Sequence, residues 1–103
     1  NFTLPPESGS EKFRTLYNAK VFPALRRFAP ELLLLSAGFD AHKDDPLAQI
    51  NLVEEDFEWV TEELVKIANE SAQGRIVSVL EGGYNLNALK TSVAVHLRAL
   101  AGI

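Results

Sequence analysis

Two short apolar runs constrain the fold of this chain more than any other feature. They are "LLLLS" at residues 32–36 and "RIVSVL" at residues 75–80. The first run is typical of a strand buried on both faces, as in a parallel sheet, and the second is apolar and β-branched. Between them, apolar side chains recur at helical spacing, at Phe57, Val60, Leu64, Ile67 and Ala68. Two strands joined by a helical crossover predict a right-handed βαβ unit with parallel strands.

A further helix is predicted before the first strand. Ser8 and Glu11 have the spacing of a capping box, which predicts that this helix begins there. Pro23 interrupts the apolar stripe that follows, so we expect the helix to kink or to restart at that residue. The dipeptide "AP" at 29–30 then ends it.

A last helix is predicted after the second strand. Gly74 stops the crossover helix, and "EGGYN" at 81–85 forms a sharp turn beyond the strand. The amphipathic segment that follows, residues 86–100, reads as a helix with Asn85 or Asn87 as its cap. The predicted order is therefore helix, strand, helix, strand, helix, which is an α/β fold.

Composition narrows the class of protein. The chain has 103 residues, enough for one domain over 1–103, with 47% hydrophobic and 23% charged residues. A net charge of -4 gives no electrostatic reason to expect binding to nucleic acid or to an anionic membrane. No signal-peptide pattern opens the chain, so the cytoplasm is the predicted compartment. Cysteine is absent, which excludes disulfides. Methionine is also absent, even at position 1, which predicts a piece of a longer protein.

Each predicted strand runs straight into a polar or aromatic side chain. "SAGFD" at 36–40 ends on Asp40, and "VLEGGYN" at 79–85 contains Tyr84. Ligands of open α/β sheets bind beyond the carboxyl ends of the strands, which lie about 5 Å apart if the strands are neighbours and about 10 Å apart if another intervenes. Either spacing lets a carboxylate and a phenol converge on one small ligand.

Simpler interpretations exist for these residues. Asp40 is equally well explained as a helix cap or an acceptor that braces a loop, and "GGY" as a plain turn. His42 forms a D-x-H pair with Asp40, but a single histidine in a charged loop is more often solvated than bound to a metal. Asp45 precedes Pro46 and is expected to brace a turn. Phe57 and Trp59 are expected to pack on their helix rather than to stack on a ligand.

Two longer stretches together resemble a known family. "PELLLLSAGFDAHKDDPLAQINL" at 30–52 and "RIVSVLEGGYNLNALKTSVAVHLRAL" at 75–100 are similar to the C-terminal part of the zinc-dependent histone deacetylases. That family includes the bacterial acetoin-utilisation proteins and acetylpolyamine amidohydrolases, on an arginase-like α/β fold with a parallel sheet. The resemblance extends from about Leu4 to Leu100, and "EGGY" is similar to the class II and bacterial branch.

The resemblance implies a role for each matching residue. Asp40 stands where the family has its third zinc ligand, and Tyr84 where it has the catalytic tyrosine that stabilises the oxyanion. Gly82 and Gly83 match glycines that line the acetyl pocket, and Leu47 matches a residue bordering the substrate tunnel. The implied reaction is zinc-dependent hydrolysis of the acetyl-amide bond of acetyl-lysine or an acetylpolyamine.

The chain also departs from the family pattern. Nothing before residue 36 resembles the upstream D-x-H motif or the His-His pair, so the resemblance implies one zinc ligand of three and no general base. We therefore expect zinc and the acetylated amine to bind a longer parent, and this chain alone to be inactive. Asp45 is implied to be structural, His42 is left outside the site, and Val53 replaces a common threonine cap, so that Asn51 with Glu54 is expected to cap instead.

Two rival interpretations remain at this stage. A non-catalytic α/β module used for binding or assembly fits the same fold, and an arginase-like hydrolase fits it less well because that group lacks the G-G-Y motif. A parallel sheet without its neighbouring strands exposes edges and apolar surface. We therefore also expect marginal stability, self-association, or a compact subdomain that tolerates the loss of the rest of its domain.

Overall fold

Strands β1 (Leu33–Ala37) and β2 (Ile76–Leu80) lie side by side and run parallel in the computed structural model, which describes residues 1–103. Their register pairs Leu33 with Ile76 and Ala37 with Leu80. The remaining elements are helices α1 (Ser10–Leu16), α2 (Phe22–Phe28), α3 (Glu54–Ser71) and α4 (Leu86–Ala101), with a π-helical turn at Tyr17–Val21. The α/β fold and the order helix, strand, helix, strand, helix are confirmed.

Of the two outcomes expected at Pro23, a kink or a restart, the structure shows a new α-helical segment, α2, beginning at this point. Pro23 lies in the first turn of α2, where its missing N–H costs nothing, and the π-helical turn comes directly before it. The helix ends at Phe28, and Ala29 takes a left-handed conformation with φ of 51°. The predicted capping box is wrong, because Gly9 precedes α1 and the Ser8 hydroxyl donates to the carbonyl of Pro5 at 2.6 Å instead.

One fully buried carboxylate holds α1 against α3. Asp56 accepts the N–H of Val53 at 3.1 Å and Nε of Arg14 at 2.9 Å, and it also accepts the hydroxyl of Ser10. Three donors compensate for the cost of burying the charge. The start of α3 is therefore stabilised by a carboxylate within its own first turn.

The predicted cap of α3 by Asn51 and Glu54 is wrong, because both side chains bond to distant residues instead. The side-chain amide of Asn51 donates to the carbonyl of Glu7 at 3.1 Å, and Glu54 accepts the hydroxyl of Thr91 at 2.6 Å. Both side chains make tertiary contacts rather than local ones. The cap predicted for α4 is confirmed, since the Asn85 side chain accepts the N–H of Ala88 at 2.9 Å.

The helices pack against one face of the sheet. Phe22 of α2 and Ile67 of α3 lie in one buried cluster with Leu33 of β1, and Phe57 lies in a second cluster with Phe39. Trp59 packs on the ring of Phe22, with centroids 5.5 Å apart. Phe57 and Trp59 therefore belong to the core, as predicted.

The opposite face of the sheet is open. Leu34 is 70% exposed, and Val77 and Val79 beside it are also exposed, because side chains alternate between the two faces along a strand. The prediction that β1 is buried on both faces is thus wrong for this chain, in which only one face carries helices. None of the helices has the length and apolar character that a membrane span requires.

A histidine joins the sheet to two helices beneath it. Thr61 of α3 donates its hydroxyl hydrogen to the carbonyl of Phe57 at 2.6 Å, so it accepts from Nδ1 of His96, which lies 2.8 Å away. Nε2 of His96 then accepts the hydroxyl of Ser78 on β2, also at 2.8 Å. Both ring nitrogens are satisfied in the neutral form, and desolvation by burial lowers the pKa of His96.

The lowered pKa of His96 predicts a loss of stability in mild acid. In the unfolded chain this histidine takes up a proton at about pH 6.5, which is a higher pH than in the folded chain. The free energy of unfolding therefore falls as the pH drops below that value, and the contribution of neutral His96 is complete above it. Urea denaturation from about pH 7.5 to about pH 5.5 measures the slope. We expect His96→Gln to be less stable at neutral pH and to show a smaller slope. Equal slopes in both proteins would contradict this.

Candidate functional site

The two loops beyond the strands are joined by main-chain hydrogen bonds. The N–H of Glu81 donates to the carbonyl of Ala37 at 3.0 Å, and the N–H of Phe39 donates to the carbonyl of Gly82 at 2.8 Å. Asp40 follows Phe39 in a turn that is closed by the N–H of His42, which donates to the carbonyl of Phe39 at 3.3 Å. The parallel pairing therefore extends past β1 and β2 and brings the Asp40 loop against the "EGGYN" loop.

Two glycines make room for the Asp40 carboxylate. A Cβ atom at Gly82 would lie 2.7 Å from Oδ2 of Asp40, and one at Gly38 would lie 3.1 Å from Oδ1. No side chain fits at Gly82 without displacing the carboxylate. The structure thus brings Asp40 and Gly82 together, and it gives a local packing reason for the glycine.

Gly83 is required by a different contact. Its φ is +140°, in the region that favours glycine, and a Cβ atom there would lie 2.7 Å from Cδ1 of Leu89 on α4. The turn therefore packs tightly against the first turns of α4. The assignment of Gly82 and Gly83 to an acetyl pocket stays a prediction.

Replacing Gly82 with alanine should be costly. Gly82→Ala forces Cβ against the Asp40 carboxylate, and we expect a loss of about 1–3 kcal/mol in the free energy of unfolding, typical of overpacking. Gly9→Ala is the control, because a Cβ at Gly9 comes no closer than 3.6 Å to its neighbour. It should cost less than about 1 kcal/mol. Urea denaturation compares the two variants; equal losses would mean that the carboxylate gives way freely.

The Asp45 carboxylate joins the loop after β1 to the loop after β2. Its Oδ1 accepts the N–H of Leu47 at 2.9 Å, which confirms that it braces the turn around Pro46. Its Oδ2 accepts the N–H of Tyr84 at 2.9 Å, across the gap to the second loop. One carboxylate therefore fixes the backbone of two residues that the sequence places in the site.

Those N–H groups also set the acidity of Asp45. Desolvation alone would raise the pKa of this carboxyl, but hydrogen bonds from backbone N–H groups, those of Leu47 and Tyr84 among them, hold it below its usual value. Because the folded-state pKa is depressed, the contribution of these hydrogen bonds is present above the ordinary value of about 3.9 and is lost as the pH falls through the lowered one. The hydrogen bonds are intact at neutral pH.

Removing the Asp45 carboxylate should free both backbone segments. In Asp45→Ala we expect faster amide hydrogen exchange at Leu47 and Tyr84, by about tenfold for one lost charge-assisted hydrogen bond each. Asp44→Ala is the matched control, because Asp44 is an exposed neighbour that makes neither bond. Unchanged exchange at Tyr84 in Asp45→Ala would show that the loop is held by other contacts.

The side chains of Tyr84 and Leu47 lie on the surface. Tyr84 is 58% exposed and Leu47 is 65% exposed. Four cavities of the fold are lined by other residues, and neither of these two nor Asp40 contributes to them. The structure fixes the backbone of Tyr84 near Asp40, and the roles predicted for Tyr84 and Leu47 stay predictions.

His42 is where the sequence interpretation was wrong. It was expected to be solvated, yet its side chain is only 2% exposed and its ring stacks on Phe57 at an interplanar angle of 10°. Its Nδ1 accepts the N–H of Asp44 at 3.1 Å, and its Nε2 lies 3.1 Å from Oε1 of Glu54. The ring thus turns toward α3, which does not support the D-x-H metal pair. No local spacing signals this burial.

The residues of this chain do not make a complete metal site. No group of three or more His, Cys, Asp or Glu side chains is arranged to hold a metal ion. Asp40 offers one carboxylate, half-exposed at the edge of the sheet, whereas a catalytic zinc takes three protein ligands. The donor set therefore fits one ligand of such a centre and not the whole.

A carboxylate and a glycine-rich loop lie at the shared end of two parallel strands, which is the end at which open α/β sheets bind their ligands. Residues 1–100 match the histone deacetylase domain. The chain is 42% identical over 101 residues to type-2 histone deacetylase 1 of Dictyostelium discoideum, covering 98% of this chain and 7% of that protein. It is 39% identical over 85 residues to the histone deacetylase-like amidohydrolase of Pseudomonas aeruginosa, covering 82% and 22%.

A solved structure shows the same fold. The crystal structure of the HDA15 HD domain superposes with a TM-score of 0.86 at 28% identity, over 95% of this chain and 26% of that chain. The chain therefore belongs to the histone deacetylase family. It spans less than a quarter of the length of each of these two curated relatives.

Proposed function

We propose that this chain is the C-terminal part of the catalytic domain of a zinc-dependent deacetylase, which hydrolyses the acetyl-amide bond of acetyl-lysine or an acetylpolyamine. The observation that carries the proposal is the bond from the Phe39 N–H to the Gly82 carbonyl. It holds Asp40 against the "GGY" loop in a chain of the deacetylase family. Two motifs that lie far apart in the sequence thereby share one edge of the sheet.

Asp40 and Tyr84 have distinct parts in this proposal. Asp40 supplies one oxygen ligand, and the other zinc ligands and the general base come from the remainder of the catalytic domain. Tyr84 donates its phenol hydrogen to the acetyl carbonyl oxygen and to the oxyanion that develops there. In other enzymes, removing one donor aimed at such an oxygen raises the activation barrier by about 2.7–4 kcal/mol.

The open face of the sheet supports the same proposal. Leu34, Val77 and Val79 expose apolar side chains in a row, and parallel sheets are normally covered on both faces. The HDA15 HD domain, which this chain matches over 26% of that chain's length, has ample further sequence to cover such a face. We assign the covering layer to the remaining part of the same catalytic domain, with self-association of the isolated chain as the consequence of leaving it open.

Removing the hydroxyl of Tyr84 tests the catalytic role proposed for this residue. In the complete catalytic domain, Tyr84→Phe should lower kcat by about 10²–10³ with little change in stability, since Tyr84 is mostly exposed. Tyr17→Phe is the matched control, because the Tyr17 ring packs against Phe13 and Phe22 inside the core. Its kcat should be that of the parent. An unchanged rate in Tyr84→Phe would remove the role assigned to Tyr84.

A binding or assembly module is the second candidate function. The observation that favours it is the open apolar face of the sheet, together with a site that offers one candidate metal ligand. Zinc titration calorimetry and an acetyl-lysine assay on this chain separate the two. No turnover, and binding no tighter than about millimolar, fit the partial site, while tight binding with turnover would contradict it.

A further inference from the structure

The turn that carries Asp40 ends at a buried side chain. Asp40 is the second residue of the turn and His42 is the fourth, with the His42 N–H donating back to Phe39. Backbone bonds flank His42 on both sides: the Leu52 N–H donates to the carbonyl of Ala41 at 3.0 Å, and the Lys43 N–H donates to the carbonyl of Leu52 at 2.8 Å. The turn is thus anchored at the end away from the strand.

The His42 imidazole extends this anchor to two helices. Because Nδ1 accepts the N–H of Asp44, the ring hydrogen is on Nε2 and faces Oε1 of Glu54, the first residue of α3, at 3.1 Å. This contact lacks the geometry of a regular hydrogen bond, so it is mainly electrostatic. Glu54 also accepts the hydroxyl of Thr91 on α4, which lowers its pKa together with the contact to His42.

We infer that His42 is a positioning residue for Asp40. Its Nε2–H ties the end of the Asp40 turn to the Glu54 carboxylate, and so the distance from the strand edge to the carboxylate is set by α3 as well as by β1. The missing side chains of Gly38 and Gly82 leave room for the Asp40 carboxylate. The functional meaning of this placement rests on the proposed role of Asp40, whereas the placement itself does not.

Two substitutions separate the two ring nitrogens. Glutamine places its amide nitrogen near the Nε2 position and keeps the donor toward Glu54, whereas asparagine keeps an acceptor near Nδ1 and does not reach Glu54. In this chain we expect amide exchange at Phe39 and at residue 42 to stay within about threefold in His42→Gln and to rise about tenfold or more in His42→Asn. Exchange is measured by NMR and read against each variant's global stability.

The control removes a buried polar contact elsewhere. Ser78→Ala deletes the hydroxyl bonded to His96 and lowers global stability, but it leaves the Asp40 turn and Glu54 untouched. It should not raise exchange at residue 42 beyond the global change. If Ser78→Ala raises it as much as His42→Asn does, or if the Gln and Asn variants behave alike, the positioning role is overturned.

A second pair keeps the test decisive if the histidine variants do not fold. Glu54→Ala and Glu55→Ala each remove one negative charge from the first turn of α3, but only Glu54 faces His42. Faster exchange at residue 42 in Glu54→Ala alone supports the inference, and equal exchange in both overturns it. Activity of the complete domain carrying Asp40→Asn tests the proposed function separately, since full activity would remove the role of Asp40 without altering these exchange rates.

Discussion

The direct parallel pairing of β1 and β2 is the constraint on which the candidate site depends. The register that pairs Ala37 with Leu80 continues as backbone hydrogen bonds from Glu81 and Phe39 into the two loops. An intervening strand would separate these loops by about 10 Å and remove every bond between them. Asp40 therefore meets Gly82 because of main-chain geometry, before any side chain contributes.

Three carboxylates add to the contacts made by the sheet, and each one joins separate elements of the fold. Asp56 joins α1 to α3, Asp45 joins the Pro46 turn to Tyr84, and Glu54 joins the His42 loop to α4. Asp56 and Asp45 each accept from more than one donor, and the several donors to Asp56 offset the cost of burying its charge. Several acidic side chains of this chain therefore hold its loops and helices together.

The sequence was sufficient where the signal came from a continuous apolar run or a helical period. The apolar runs predicted the strands, helical spacing predicted the helices, and the two motifs at the strand ends predicted that Asp40 lies beside the glycine loop. It was insufficient where a side chain chose a distant partner over a local one. Asn51 and His42 were assigned local or solvent roles, but each contacts residues that only the folded chain brings near.

The site and the open sheet face together explain how one piece of a catalytic domain holds a defined geometry. The backbone around Asp40 and Tyr84 is fixed by bonds within the chain, through Gly82, Asp45 and the His42 contact. The apolar surface that lacks a partner lies elsewhere, on the far face of the sheet at Leu34 and Val79. In the proposed function, docking of further layers on that face adds stability and the remaining ligands without reshaping the Asp40 loop, since preorganised backbone does not need to be ordered again on association.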